Sequence, residues 1–140
     1  SSSLIWNRNI RNNISGSCII CEVSEVLTAE LSNSIIKYLP KHEKIAFQFC
    51  IWQADAGVSL HDDGEYRFGA TIYLNKHWNI DWGGIFLWYD TKQDFHSGNV
   101  KGFVPRDKTM ILNDEKQLHL VTPVSASSPD FRMTIQIRGK

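Results

Sequence analysis

The spacing of apolar positions changes character once along the chain. After Ser24, Leu27, Leu31, Ile35 and Tyr38 recur three or four residues apart, which is the repeat of one helix face. Ser24 is placed to cap that helix and Pro40 to stop it, so a helix is predicted over about 24–39. Beyond Lys44 the helical repeat disappears, and short runs rich in aromatic and β-branched residues read as strands. They run from Ile45 to Trp52, Phe68 to Leu74, Ile85 to Tyr89, Thr109 to Leu112, Leu118 to Val124 and Phe131 to Ile137. Asp63-Gly64, Asn79-Ile80-Asp81, Gly83-Gly84, Ser97-Gly98-Asn99 and Ser127-Ser128-Pro129-Asp130 supply turns between them. One helix followed by many short strands predicts a mainly β sandwich or barrel with a helical buttress. Asp90 to Val104 is polar and glycine-bearing, and reads as an irregular loop, either a lid over a site or a plain surface excursion.

Composition narrows the functional classes. The 140 residues suit one domain over 1–140, with the strand-rich core over about 45–138. Hydrophobic residues at 42% and charged residues at 21% are ordinary for a folded domain. Fifteen basic residues balance fifteen acidic ones, so nothing in the charge calls for nucleic acid or an acidic membrane surface as partner. No apolar run approaches the roughly 20 residues of a membrane span. Ser1-Ser2-Ser3 and the residues after it lack the basic start, apolar stretch and cleavage site of a secretory signal, which gives a cytoplasmic expectation. Cys18, Cys21 and Cys50 form an odd set that fits a reducing compartment. Cys18-Ile19-Ile20-Cys21 has redox-motif spacing, but on a strand its two thiols face opposite sides, so a structural role is expected.

Candidate chemistry starts at His61-Asp62-Asp63-Gly64. Residues two apart on a strand share a face, so His61 and Asp63 converge while Asp62 points away. A third donor would complete a two-histidine, one-carboxylate site with open positions, the arrangement suited to non-haem Fe(II). His119, in the strand-like Leu118-His119-Leu120-Val121, is the best placed; His42, His77 and His96 read as surface residues.

These residues stand in a longer ordered series. After His61-Asp62-Asp63 come Ala70-Thr71-Ile72-Tyr73-Leu74-Asn75, Asp81-Trp82-Gly83-Gly84-Ile85-Phe86-Leu87, Val104-Pro105-Arg106-Asp107, His119-Leu120-Val121-Thr122-Pro123-Val124 and Arg132-Met133-Thr134-Ile135. In that order the sequence resembles the Fe(II)/2-oxoglutarate-dependent oxygenases over roughly Phe47 to Arg138, most closely their prolyl 4-hydroxylase-like branch. The resemblance implies a double-stranded β-helix, or jelly-roll, with Fe(II) held by His61, Asp63 and His119. It implies 2-oxoglutarate as co-substrate, anchored by Arg132 through a bidentate contact with its far carboxylate and assisted by the Thr134 hydroxyl. Arg138 is the fallback anchor. Thr71 and Tyr73 share a strand face that the resemblance turns toward the co-substrate; Tyr73 either contacts it or belongs to the core. Gly83 and Gly84 permit a bend or a close backbone approach. Trp52, Trp82 and Trp88 either wall the site or pack in the core.

The implied activity uses O2, with ascorbate as a reductant, to hydroxylate an unactivated C–H and release succinate and CO2. The expected substrate is a prolyl residue of a peptide or protein. A free amino acid or other small metabolite is the alternative, and a catalytically silent binding module is the rival of another class. The presence of Asp63 implies hydroxylation rather than halogenation. The sequence departs from the family in a longer stretch between His119 and Arg132, with a loose turn over Ser125 to Pro129, and in Asn113, which stands where an aromatic is usual and is not expected to touch a ligand.

Overall fold

A computed structural model of the chain describes residues 5–8 and 13–140. Ser1-Ser2-Ser3 lies outside them. The early strands are β1 (Ile5–Arg8), β2 (Ile14–Ser15) and β3 (Cys18–Glu22), followed by helix α1 (Glu25–Ile35). Then come β4 (Ile45–Trp52), β5 (Gly57–His61), β6 (Phe68–Tyr73), β7 (Phe86–Trp88), helix α2 (Lys92–Ser97) and β8 (Lys101–Phe103). The chain closes with β9 (Met110–Asp114), β10 (His119–Val121) and β11 (Arg132–Gly139). One sheet runs β1-β3-β4-β11-β6-β9 and the other β2-β5-β10-β7-β8, with every pairing antiparallel. The fold is therefore mainly β, a jelly-roll of two sheets with one N-terminal helix, as expected.

Strand β11, central in the larger sheet, shows how the layers are arranged. Its register sets Arg132 beside Trp52, Thr134 between Cys50 and Tyr73, and Gln136 between Gln48 and Thr71. These side chains share the face turned toward the second sheet, because alternate residues on a strand point the same way. The intervening Ile135 and Ile137 point outward, where they join Phe47, Phe68 and Ala70 in an apolar cluster. Leu31 and Ile35 of α1 and Leu39 after it pack onto that cluster. Ser24 caps α1 by accepting from the Leu27 N–H, and a 3-10 turn over Ile36–Tyr38 ends the helix short of the predicted boundary. Tyr38 is exposed, so the apolar stripe stops at Ile35 and Leu39. A second apolar cluster lies between the sheets and includes Cys18, Cys50, Trp52, Ala56 and Val124. Cys18 and Cys21 are both buried, on opposite faces of β3, consistent with structural thiols.

Two local expectations need correction. Asp90 to Val104 is not irregular: it folds into α2 and β8. Thr91 and Asp94 form a reciprocal capping box, Gly98 ends α2 at φ 79°, and Lys101 pairs with Asp90. The expected strand from Leu118 to Val124 shortens to His119–Val121, because Pro123 has no N–H to give a ladder. Phe131 and Met133 are 54% and 38% exposed, while Arg132 between them is buried by the inner layer. The loose turn after His119 is present, with Ser128 N–H donating to Ser125 O and Asp130 N–H to the Ser128 hydroxyl. No helix among the described residues is long and apolar enough to cross a membrane.

The outer cluster under α1 should carry much of the stability. Phe47→Ala is expected to destabilise the protein by about 3–5 kcal/mol, while Val26→Ala on the exposed side of α1 should change it by less than about 0.5 kcal/mol. Urea unfolding of the two variants checks the contrast.

Candidate active site

Strand pairing brings the two histidines together. His61 ends β5 and His119 begins β10, and the two are directly opposite in the antiparallel register. Their ring centroids lie 4.3 Å apart. Asp63 follows β5 in a turn whose backbone is pinned on both sides: its N–H donates to Glu115 O at 3.0 Å, and its carbonyl accepts from Tyr66 N–H at 2.8 Å. Asp62 is not part of this cluster and accepts from the Gly64 N–H. The Asp63 carboxylate then meets His61 Nε2 at 3.5 Å and His119 Nε2 at 3.4 Å. One donor atom from each of the three residues falls within 4.8 Å of the others. This is the geometry of a two-histidine, one-carboxylate facial triad.

The neighbouring polar groups prepare the triad for a cation. His61 Nδ1 donates to Ser59 O and His119 Nδ1 to Gln117 O, each at 2.7 Å. A carbonyl can only accept, so each Nδ1 carries a proton, and Nε2 is the nitrogen turned toward Asp63 and the one a cation would take. Asn113 Nδ2 donates to Asp63 Oδ2 at 3.0 Å. Burial alone would raise the Asp63 pKa, but hydrogen bonds from His119, His61 and Asn113 outweigh it and hold the carboxyl well below the usual range. The hydrogen bond to Asp63 raises the pKa of His61 against the opposing effects of burial and the Arg138 charge. A β-carbon at position 69 would lie 2.9 Å from Asp63 Oδ2, so only glycine leaves room for the carboxylate there.

The same cavity, of about 350 Å³, is also lined by Arg132. Arg132 is 1% exposed, and among the described residues no carboxylate comes within ion-pair distance of it. Its Nε donates to Gly84 O at 2.9 Å, leaving the two terminal nitrogens for another acceptor. The guanidinium lies 5.3 Å from the Trp52 ring centroid and 5.4 Å from that of Tyr73. The buried Tyr73 hydroxyl finds no hydrogen-bond partner of good geometry among the described residues. Burial raises the Tyr73 pKa above its ordinary value, with the Arg132 charge pulling the other way. A buried cation beside an unsatisfied hydroxyl fits a carboxylate-bearing ligand, which would supply the missing acceptor for both. The donor set and this pair together accommodate Fe(II) and a keto diacid.

The other sequence candidates divide around this cavity. Thr134 accepts from Trp52 Nε1 at 3.0 Å, which leaves its hydroxyl proton available beside Tyr73. Thr71 donates to Gln136 Oε1 at 3.1 Å, so its hydroxyl serves the neighbouring strand first. Trp52 lines the cavity, whereas Trp82 packs edge-on against Trp78 elsewhere and Trp88 donates to Asp90. His77 and His96 are exposed, and His42 sets its ring edge against Phe68. Gly83 and Gly84 have φ of 69° and 65°. A β-carbon at Gly84 would lie 2.6 Å from Arg132 Cδ, so that glycine permits the close approach expected of it. The expectation that Asn113 touches no ligand is wrong. Its side chain crosses from β9 to Asp63, a contact that no spacing rule signals because the two residues are 50 positions apart.

Comparison with known proteins follows the same lines. Residues 47–137 match the family profile described as the 2OG-Fe(II) oxygenase superfamily. Comparison with curated proteins gives no significant sequence match. Among solved structures, a Pseudomonas putida prolyl-4-hydroxylase is similar with a TM-score of 0.72 at 14% identity, over 96% of this chain and 77% of that one. An oxidoreductase of the 2OG-Fe(II) oxygenase family from Burkholderia pseudomallei gives 0.71 at 14% identity, over 98% and 73% of the two chains. A cupin-like protein from Thermotoga maritima gives 0.55 at 7% identity, over 95% and 76%. At these identities the likeness shows a shared fold.

Two outcomes follow from the triad's surroundings. Asn113→Leu removes the donor on Asp63 Oδ2, and should weaken Mn(II) binding about 10–100-fold in a calorimetric titration while leaving the far-ultraviolet circular dichroism unchanged. Protonated His61 cannot ligate, and its pKa stands above the ordinary 6.5, so Mn(II) affinity should fall steeply below that pH and level off only above His61's raised pKa. Titrations across pH 5.5–8.5 read this directly.

Proposed function

The chain belongs to the 2OG-Fe(II) oxygenase superfamily, whose profile covers about two thirds of it, and from that premise we propose that it hydroxylates an unactivated C–H bond of a prolyl residue in a peptide or protein. The facial triad of His61, Asp63 and His119 supports Fe(II)- and 2-oxoglutarate-dependent oxidative chemistry, and it is the observation that carries the reading. In this reading the two Nε2 atoms and one Asp63 oxygen would hold Fe(II), a donor set suited to a metal that must also bind co-substrate and oxygen. Arg132 takes the far carboxylate of 2-oxoglutarate through its terminal nitrogens, and the Tyr73 hydroxyl donates to the same group. Thr134 adds its hydroxyl proton on the same strand face. When bound, Fe(II) and 2-oxoglutarate supply the oxidant from O2, with succinate and CO2 as co-products and one oxygen atom left on the substrate carbon. Asn113 and the Asp63 turn keep the carboxylate fixed, while Phe86, ring-stacked against His119 with centroids 5.4 Å apart, helps exclude water from the buried histidine.

The prolyl assignment is supported by the ordered motifs of the sequence and by the fold shared with the Pseudomonas putida prolyl-4-hydroxylase. An intact triad argues against a silent binding module, since such a module has no need of two aligned imidazoles with a carboxylate between them.

Anaerobic addition of Fe(II) and 2-oxoglutarate should give a visible metal-to-ligand charge-transfer band that His61→Ala, Asp63→Ala and His119→Ala each abolish. A wild-type protein with no band and no calorimetric binding of 2-oxoglutarate would end the oxygenase reading. Arg132→Leu should weaken 2-oxoglutarate by about two orders of magnitude and leave Mn(II) affinity nearly unchanged. Mass spectrometry of a proline-containing peptide library should show gain of one oxygen on a prolyl residue; oxygen gained elsewhere would move the substrate assignment.

A further inference from the structure

Strand β11 carries a second arginine on its inner face, and the chemistry proposed above leaves it without a role. Arg132 and Arg138 are six residues apart, so both point between the sheets, with Thr134 and Gln136 between them. At about 3.3 Å per residue their Cα atoms are roughly 20 Å apart, and both side chains line the cavity that also holds the triad. Cross-strand register places Arg138 beside Gly69, the glycine over which Asp63 sits. The two cations thus stand at opposite ends of one cavity, with Arg138 on the strand rung of the metal-binding carboxylate.

Among the described residues, an amide and an aromatic ring hold the Arg138 guanidinium in place. Its Nη1 donates to Gln48 Oε1 at 3.1 Å, and Gln48 in turn donates to Glu22 across the next strand. The Tyr66 ring lies under it, 5.7 Å from Cζ to centroid, and the Tyr66 N–H is tied to the Asp63 carbonyl. Gln48, Tyr66 and Arg138 all face the cavity, and Arg138 is only half-buried, so a ligand can reach it. A planar fork fixed by an amide and an aromatic ring suits two-point contact with a carboxylate. Asp62 and Glu65 line the same cavity, which disfavours a polyanion and fits a single negative charge.

We propose that Arg138, positioned by Gln48 and Tyr66, binds one carboxylate of the substrate, so that the enzyme selects molecules bearing an anionic group close to the carbon that is oxidised. The inference rests on the oxygenase reading and names the substrate class of that site. The carboxylate belongs either to a free acid or to an acidic residue next to the reacting one in a peptide, and the two sources share the same recognition.

Two matched sets of probes test it on the full chain loaded with Mn(II) and 2-oxoglutarate, with binding read from paramagnetic broadening of the probe's NMR signals. One set pairs N-acetyl-L-proline and N-acetyl-L-leucine with their neutral amides; the other pairs N-acetyl-Pro-Glu-amide with N-acetyl-Pro-Gln-amide. The anionic member of at least one set should bind about tenfold or more tightly than its neutral partner, and the set that responds identifies the source. Arg138→Gln should collapse that preference to within about twofold, and Arg138→Lys should retain part of it, because the charge survives without the fork. The affinity for 2-oxoglutarate should be unchanged in both variants. Equal binding of anion and amide, absence of binding by every anionic probe, or a preference that survives Arg138→Gln would each overturn the proposal. Failure of the oxygenase reading would appear separately, as absent 2-oxoglutarate binding in the wild-type chain.

Discussion

The register of β11 between β4 and β6 is the constraint on which the rest of the molecule depends. One face of this strand reads Arg132, Thr134, Gln136 and Arg138, and the other Met133, Ile135 and Ile137. Paired as it is, the strand turns its polar face into the space between the sheets and its apolar face toward α1. A slip of one residue would exchange the two, filling the cavity with isoleucine and setting two arginines against the helix. The apolar cluster under α1 therefore fixes the polar site as well as stabilising the sheet. Neighbouring strands repeat the arrangement, with Thr71 and Tyr73 inward on β6 while Phe68, Ala70 and Ile72 face out.

That inversion has an electrostatic consequence. An arginine sealed between sheets, with no carboxylate within ion-pair distance among the described residues, is unfavourable in the protein alone, because burial removes hydration without supplying an opposite charge. Trp52 and Tyr73 recover part of the loss through their ring faces, and Gly84 O takes one N–H. The remainder awaits an anion. Asp63 is the opposite case, since three hydrogen bonds already favour its charged form. The Asp63 carboxylate is thus satisfied by the protein, while the Arg132 guanidinium is left for a ligand.

Much of this was legible in the sequence because it is carried by local rules. The helix, six of the strands, and the convergence of His61 and Asp63 follow from periodicity and side-chain alternation. His119 stood out as a polar ring in an apolar strand. The Thr91-Asp94 capping box was equally local and would have revealed α2, but the polar composition around it drew attention to a loop instead. Asn113 was not legible, because its role arises only when β9 pairs with β6 across Gly69 and brings its amide to Asp63. Gly69 was hidden for the same reason: nothing nearby in sequence shows that a carboxylate 6 residues earlier returns to lie above it. Such contacts depend on which strands become neighbours, and alternation along a single strand carries no record of that.

The manner in which the two imidazoles are held separates folding from metal loading. Each ring is aimed by the carbonyl two residues before it on its own strand, so its orientation is inherited from the backbone and needs no cation to impose it. The ordering entropy of the ligands is then lost once, when the sheets assemble, rather than at each encounter with iron. A chelated chain would keep its architecture and accept metal again without refolding, unlike domains whose ligands come together only around the ion. A metal taken up this way would add stability to an architecture already formed.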